Sequence, residues 1–435
     1  MACEPISIGF VRGLGCRRRS SCGPWPEPPD LTMLPIDHPA IQYDQAPLDD
    51  PIARLDKQLA SGKIKLDFRS GRLGYLPSVL QNLGVNSDSQ LLVFSKTSFQ
   101  AAKISPREPR ALFFSDDVMV GSVQGGDVLE FAALDPRQGV VFYTLDMHQS
   151  QQPRFDRRDA CLQCHQGPAT LGVPGIMVGS VYPDSMGMPA SRMGNPVTDH
   201  RTSFEDRWGG WYVSGTHGGM HHRGNAVARD RERPTLLETR GTQNLTSLAG
   251  KFDTAGFMNP VSDIVALMTF EHQTRMTNLM IRAGWDARIE SGEAVPHKID
   301  SDVEALVTYI LFADEAKLYD PIKGVSTFTR TFAERGPRDR QGRSLRDFDL
   351  EKRMFRYPLS YMVYSAAFDG MPNIVRERVY QRLYDILTGK DGSEKFARLS
   401  SGDRRAVIEI LRETKTNLPA YWTAIPPGTS REPQQ

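Results

Sequence analysis

Long apolar runs are missing from this 435-residue sequence. None approaches the ~18 residues a membrane-crossing helix needs, so no transmembrane segment is expected. An excess of either charge is missing too: Lys plus Arg is 53 and Asp plus Glu is 52. That balance offers nucleic acid or an anionic membrane no global attraction. Cysteine is scarce. Cys3, Cys16 and Cys22 lie in a leader rich in Pro, Gly and Arg, and Cys161 and Cys164 stand alone in the middle. A disulfide framework would spread them through the folded part. A good secretory leader is also absent. Ile6 to Val11 is apolar but short, and Arg17, Arg18 and Arg19 follow it instead of preceding it. No internal repeat is visible.

What is present suits a soluble globular chain, with 39% hydrophobic and 24% charged residues. The expected organisation is an unstructured leader over 1–50, a β-containing region over 51–250, a helical region over 251–425 and a tail over 426–435. Helical signs begin near Pro51, with Ile52, Leu55 and Leu59 on one face. Residues 110–146 read as a β-meander, whose β-prone runs are split by Gly125-Gly126-Asp127 and Asp135-Pro136-Arg137-Gln138-Gly139. Residues 147–225 are dense in Gly, Pro, His, Met and Trp without periodicity, as a segment wrapped around something would be. Farther on, Ser301 and Glu304 read as a capping box, Pro372 as a helix start and Gly389 as its stop, with a last helix near Asp403 to Thr414. The fold class is therefore α+β: a β-rich segment, an irregular region and a helical C-terminal part.

The chemistry concentrates in Cys161-Leu162-Gln163-Cys164-His165, the C-x-x-C-H pattern of c-type haem attachment. Two thiols add across the two vinyl groups on one porphyrin edge, which demands a short fixed spacing. The adjacent His then reaches the iron. With 5 Cys and 9 His in the chain, chance would supply roughly 0.001 such pentads. Zinc would need distant His ligands, since only one Cys pair lies in the folded part. A thioredoxin-like pair would need a βαβ context and a helix N-terminus. A Cys pair without a cofactor is the plainest alternative.

The pentad resembles that of c-type cytochromes in general. The runs Thr198-Asp199-His200-Arg201, Arg207-Trp208-Gly209-Gly210-Trp211-Tyr212-Val213 and Gly215-Thr216-His217-Gly218 resemble those of large bacterial cytochrome-c-domain proteins of uncharacterised function. Glu271-His272-Gln273-Thr274 and Gly342-Arg343-Ser344-Leu345-Arg346-Asp347-Phe348-Asp349 extend the likeness, which covers about 110–420. It implies an exported haem protein and no particular reaction. Small c-type cytochromes are all-α with the pentad near the start, whereas here it is central and follows a β-rich segment.

A sixth iron ligand, His or Met, is the next expectation. His217 ranks first, in a glycine-flanked loop with His221 and His222. His272 follows, on the helical stripe Val265, Met268, His272, Met276 and Leu279, then His200 and Met193. Each also reads as an ordinary hydrogen-bonded or core residue. Trp208, Trp211 and Tyr212 are candidates to pack on a porphyrin face, though aromatics more often fill cores. Arg154, Arg157 and Arg158 are candidates for its propionates. The sequence thus points to one covalent haem c bonded through Cys161 and Cys164 with its iron ligated by His165, and to one-electron transfer with an unknown redox partner, in the periplasm or otherwise exported. A haem enzyme of peroxidase or oxygenase type with an open sixth position is the alternative. A zinc-binding structural or interaction protein is the third reading.

Overall fold

A computed structural model describes residues 32–290 and 295–423, the side chains of 295–297 excepted. Cys3, Cys16 and Cys22 and the segment after 423 lie outside the described residues. In chain order the elements are α1 (Pro51–Ala60), α2 (Leu76–Asn82), β1 (Leu91–Val93), β2 (Arg110–Phe114), β3 (Val118–Ser122), β4 (Val128–Asp135), β5 (Gly139–Asp146) and β6 (Phe155–Arg157). Then come α3 (Leu162–His165), β7 (Val178–Gly179), β8 (Val197–Thr198), β9 (Trp211–Tyr212), α4 (Ile264–Ile289) and α5 (Val295–Ile310). The last are α6 (Phe328–Glu334), α7 (Ala366–Gly370), α8 (Asn373–Leu387) and α9 (Ser401–Thr414). The fold is α+β.

The meander forms where the turn chemistry places it. Asp135 accepts the backbone N–H groups of Arg137 and Gln138 at 2.8 Å each, and Gly139 takes φ +85°. This turn pairs β4 with β5 from Asp135↔Gly139 to Val128↔Asp146. Pairing continues antiparallel into one sheet ordered β6-β5-β4-β3-β2-β1-β9. Period-two alternation gives the sheet two faces. Tyr143 and Phe131 occupy one face. There the Tyr143 hydroxyl donates to Asp50 at 2.6 Å, and Phe131 meets Phe155 at 5.1 Å between ring centroids. The register puts Phe142, Thr144, Glu130 and Phe114 on the other face, where Phe114 meets Phe270 of α4 at 5.1 Å.

Helix α4 starts at Asp263, whose carboxylate accepts the N–H groups of Val265 and Ala266. The expected stripe is buried, and so is almost every other residue of the helix to Asp286, which makes α4 the central element of the core. Helix α5 begins at Val295, well before Ser301, so the Ser301–Glu304 box lies inside the helix. Pro296 sits in its first turn, where a missing N–H costs nothing. Residues 32–50, placed in the unstructured leader by composition, are in fact packed. Leu34, Ile41 and Tyr43 are buried, and the Tyr43 hydroxyl donates to the carbonyl of Val140 at 2.7 Å. Proline-rich backbone here satisfies itself in turns and still buries apolar side chains. Between β6 and α4 the chain holds only α3, short 3₁₀ turns and two-residue strands. No helix among the described residues is long and apolar enough to cross a membrane.

Candidate functional site

The pentad follows β6. A 3₁₀ turn over Asp159–Cys161 runs directly into α3, and Cys161 itself has helical angles of φ −64° and ψ −26°. Residues three apart on a helical turn share a side, so the two thiols present together. Cys161 is half-buried and Cys164 exposed, and neither is in a disulfide. Burial, reinforced by Glu130, pushes the Cys161 thiol up. That is opposite to the lowered thiol of a thioredoxin-type pair, and a four-residue helix offers little dipole to lower it.

His165 is held on three sides. Its ring lies against Phe142 of β5 at 4.8 Å between centroids. Its Nδ1 stands 3.0 Å from the carbonyl of Gly175, and the Gly175 N–H returns to the His165 carbonyl at 2.9 Å. A carbonyl only accepts, so the ring proton sits on Nδ1 and the Nε2 lone pair is left bare. Burial pushes the His165 pKa down and keeps the imidazole neutral, the form that ligates iron. The strap that carries Gly175 is itself clamped by α4. Asn278 accepts the N–H of Ile176 at 3.1 Å and donates to its carbonyl at 2.7 Å. A Cβ at Gly175 would fall 2.2 Å from the Asn278 side-chain oxygen, so only glycine fits. The Arg110–Glu130 pair on the same sheet face adds one charge of each sign, and Glu130 also accepts from Ser98 and Gln100.

The other expected ligands are not brought to this place. Trp211 lies on β9, at one edge of the sheet, and its indole donates to the carbonyl of Gly179 at 2.8 Å. Phe142 beneath His165 is on β5, five strand spacings away, roughly 24 Å. His217 follows β9 toward the N-terminal end of α4: the N–H of neighbouring Ser214 donates to the Ser262 carbonyl at 2.7 Å, beside the Asp263 cap. Asn278 is fifteen residues farther along that helix, or about 22 Å. His217 therefore does not reach the iron position that His165 would serve. Its Nε2 accepts from the Asn244 N–H at 3.1 Å, and its ring packs on His222 at 4.8 Å and Phe204 at 5.5 Å. Trp208 is buried in the same cluster, 5.3 Å from His222. These rings fill a core and do not wall a cofactor at the pentad.

His200 and His272 are joined to each other, Nδ1 to Nδ1 at 2.8 Å, and His272 Nε2 contacts the Ser360 hydroxyl at 2.7 Å. Both are fully buried, stacked with Tyr309 and Phe312. Both His272 nitrogens are thus occupied. Met193 is partly exposed on a 3₁₀ turn. Of the arginines, Arg157 donates to the Tyr43 carbonyl and pairs with Asp159, and Arg158 donates to the Thr144 hydroxyl at 2.9 Å. Arg154 is exposed near the pentad. Among the described residues, no three His, Cys, Asp or Glu side chains stand together as a metal-holding group.

Gly175, Asn278 and Phe142 were not identified from sequence. An Asn amid the apolar residues of a buried helix was the one available signal, since a buried amide needs partners. A scan against protein-family models and searches of curated proteins and of solved structures find no match to this chain.

Proposed function

We propose that this chain is a c-type haem protein that passes single electrons outside the cytoplasm, with one haem held by Cys161 and Cys164 and its iron ligated by His165. The observation that carries the reading is the His165 ring, whose Nδ1 proton is committed to the Gly175 carbonyl at 3.0 Å beside two free thiols on one helical turn. A bound haem would supply the redox centre, cycling between ferric and ferrous iron. The chain's own part is to hold and tune. The thiols anchor the edge, Phe142 backs the imidazole, and the Gly175 carbonyl makes Nε2 a stronger donor. Arg154 and Arg158, both exposed, would meet propionates, and exposure at Cys164 leaves an edge open to a partner.

A haem enzyme is the second reading. Two observations favour it: His217 lies far from His165, and the nitrogens of His272 are both engaged. A sixth position left to solvent admits small molecules. Expression with c-type maturation machinery tests the proposal. The wild-type protein keeps its haem in acidified organic solvent, and Cys161→Ala with Cys164→Ala loses it. Free extraction from the wild type ends the covalent claim. A low-spin six-coordinate spectrum then favours the carrier, and a high-spin five-coordinate one the enzyme.

A further inference from the structure

Beyond the C-terminal end of α5 the chain lines a half-open cavity of about 340 Å³. That is at the lower end of the range that accepts small organic ligands. Its floor is apolar, formed by Leu311, Phe312 and Ala313 with Leu399 opposite. The rim is cationic. Lys395 and Arg353 are already paired, with Glu304 and Asp403. Lys317 and Lys352 line the cavity, are exposed and form no ion pair among the described residues. Such a site offers apolar surface together with unpaired positive charge.

A second observation points to the same place. Phe312 has φ +54°, a left-handed conformation that costs a non-glycine residue roughly 1–2 kcal/mol. The strain is held by stacking of its ring on His272 at 4.5 Å and by contact with His200 at 4.7 Å. The left-handed turn leads the chain from the end of α5 into the 311–318 segment that lines the cavity. Backbone strain of this kind gathers at ligand sites. Glu315 also lines the cavity, and its carboxylate accepts the Met354 N–H at 2.8 Å.

We propose that this cavity binds a small amphiphilic carboxylate, of the chemical class of a medium-chain fatty acid, with its carboxylate at Lys317 and Lys352 and its chain on the Leu311–Ala313 floor. The site is separate from the pentad and stands whether or not haem is attached. Glu315 makes binding depend on pH. Burial pushes its carboxyl up to about 7 against the opposing pull of Arg207, Arg353 and Arg398, and Lys317, Lys352 and Lys395 face the same space. Below that pH a neutral Glu315 donates a hydrogen bond to the ligand, and above it the ionised group repels it.

Isothermal titration of the full chain with decanoate tests this. At pH 6.0 one site per chain is expected, with decanol at least tenfold weaker. Lys317→Gln with Lys352→Gln, both on the surface and harmless to folding, weakens decanoate about tenfold. Affinity falls by about tenfold at pH 8.5, and Glu315→Gln, which still accepts from Met354, restores it there. Ala316→Trp, which fills the cavity, abolishes binding. No heat at millimolar decanoate, equal affinity for decanol, or unchanged affinity in the double lysine variant overturns the proposal.

Discussion

At His165 one hydrogen bond decides which nitrogen is free, and the decision comes from the backbone. The Gly175 carbonyl takes the Nδ1 proton, so Nε2 faces outward bare. His217 carries its proton on Nδ1 as well, but its Nε2 lone pair is taken by the Asn244 N–H and its Nδ1 is buried without a partner among the described residues. The two histidines look alike in sequence, each next to glycine or cysteine in an irregular stretch, and what stands opposite Nε2 separates them. His217→Ala is accordingly expected to leave the haem spectrum and potential of the loaded protein unchanged while costing about 2–4 kcal/mol of stability, the cost of a buried cavity with a lost hydrogen bond. Paired visible spectra and urea denaturation check this, and a spectrum that turns high-spin in the variant would return His217 to the iron.

The pentad itself was legible because its pattern lies within five consecutive positions, independent of the fold around it. The residues that serve it were not. Phe142 lies 19 positions before Cys161 and Asn278 lies 113 positions after His165, and only pairing of β5 with β6 and packing of α4 bring them near.

Among the elements, α4 links the sheet to the strap over His165. Asn278 gives both of its amide groups to Ile176, and through Gly175 this sets the His165 hydrogen bond. Asn278→Ala should loosen that strap. Loss of the bond to Nδ1 makes the imidazole a weaker donor and disfavours ferric iron, so the reduction potential should rise, alongside a stability loss of about 2 kcal/mol from two buried hydrogen bonds. Potentiometric titration beside a melting curve distinguishes the two effects. An unchanged potential with lowered melting would reduce Asn278 to a purely structural residue. Phe142→Ala removes the floor under the ring from β5, and about 3–5 kcal/mol of stability should go with it, read from denaturant midpoints. Elements with strong periodicity or turn signals, such as α1, β2 to β5, α8 and α9, could be read ahead. Strands β1, β6 and β9, two or three residues each, could not, because pairing with distant partners makes them strands and no local preference does.

For the whole molecule, buried titrating groups set the response to pH. Burial pushes His222 and His272 down to about 3, and His200 well below its usual value. A histidine held neutral contributes stability above pH 6.5 that is lost as pH falls toward its folded pKa, at about 1.4 kcal/mol per pH unit for each group. Burial pushes carboxyls the other way: Asp117 up to about 6, and Asp302 and Glu315 to about 7. A carboxyl raised in this way contributes stability below its unfolded pKa near 4 that is lost as pH climbs through the folded value. Between about pH 4 and 6.5 the two sets oppose each other, and below pH 4 the histidines are joined by carboxylates held low by their arginine partners, such as Asp199 beside Arg201. Urea midpoints followed against pH should therefore change little from 6.5 to 4 and drop steeply beneath it. A steady decline beginning at 6.5 would mean the raised carboxyls do not offset the histidines.

The sequence by itself determined the Cys-x-x-Cys-His spacing over 161–165, the meander over 110–146 and the helical C-terminal part. Covalent spacing, turn residues and periodicity act within a few positions of each other and need no tertiary partner. Tertiary structure alone decided that residues 32–50 join the core and that His200 pairs with His272. It alone set His217 and Trp208 into a cluster at the far end of the sheet from the pentad, and placed Gly175 and Asn278 behind the imidazole. Each of these depends on which distant segments share a face, and that follows from strand order and from the burial of α4 along nearly its whole length. A histidine's role depends on what stands opposite each ring nitrogen, and in this chain those partners come from as far as 88 positions away, at Ser360 beside His272.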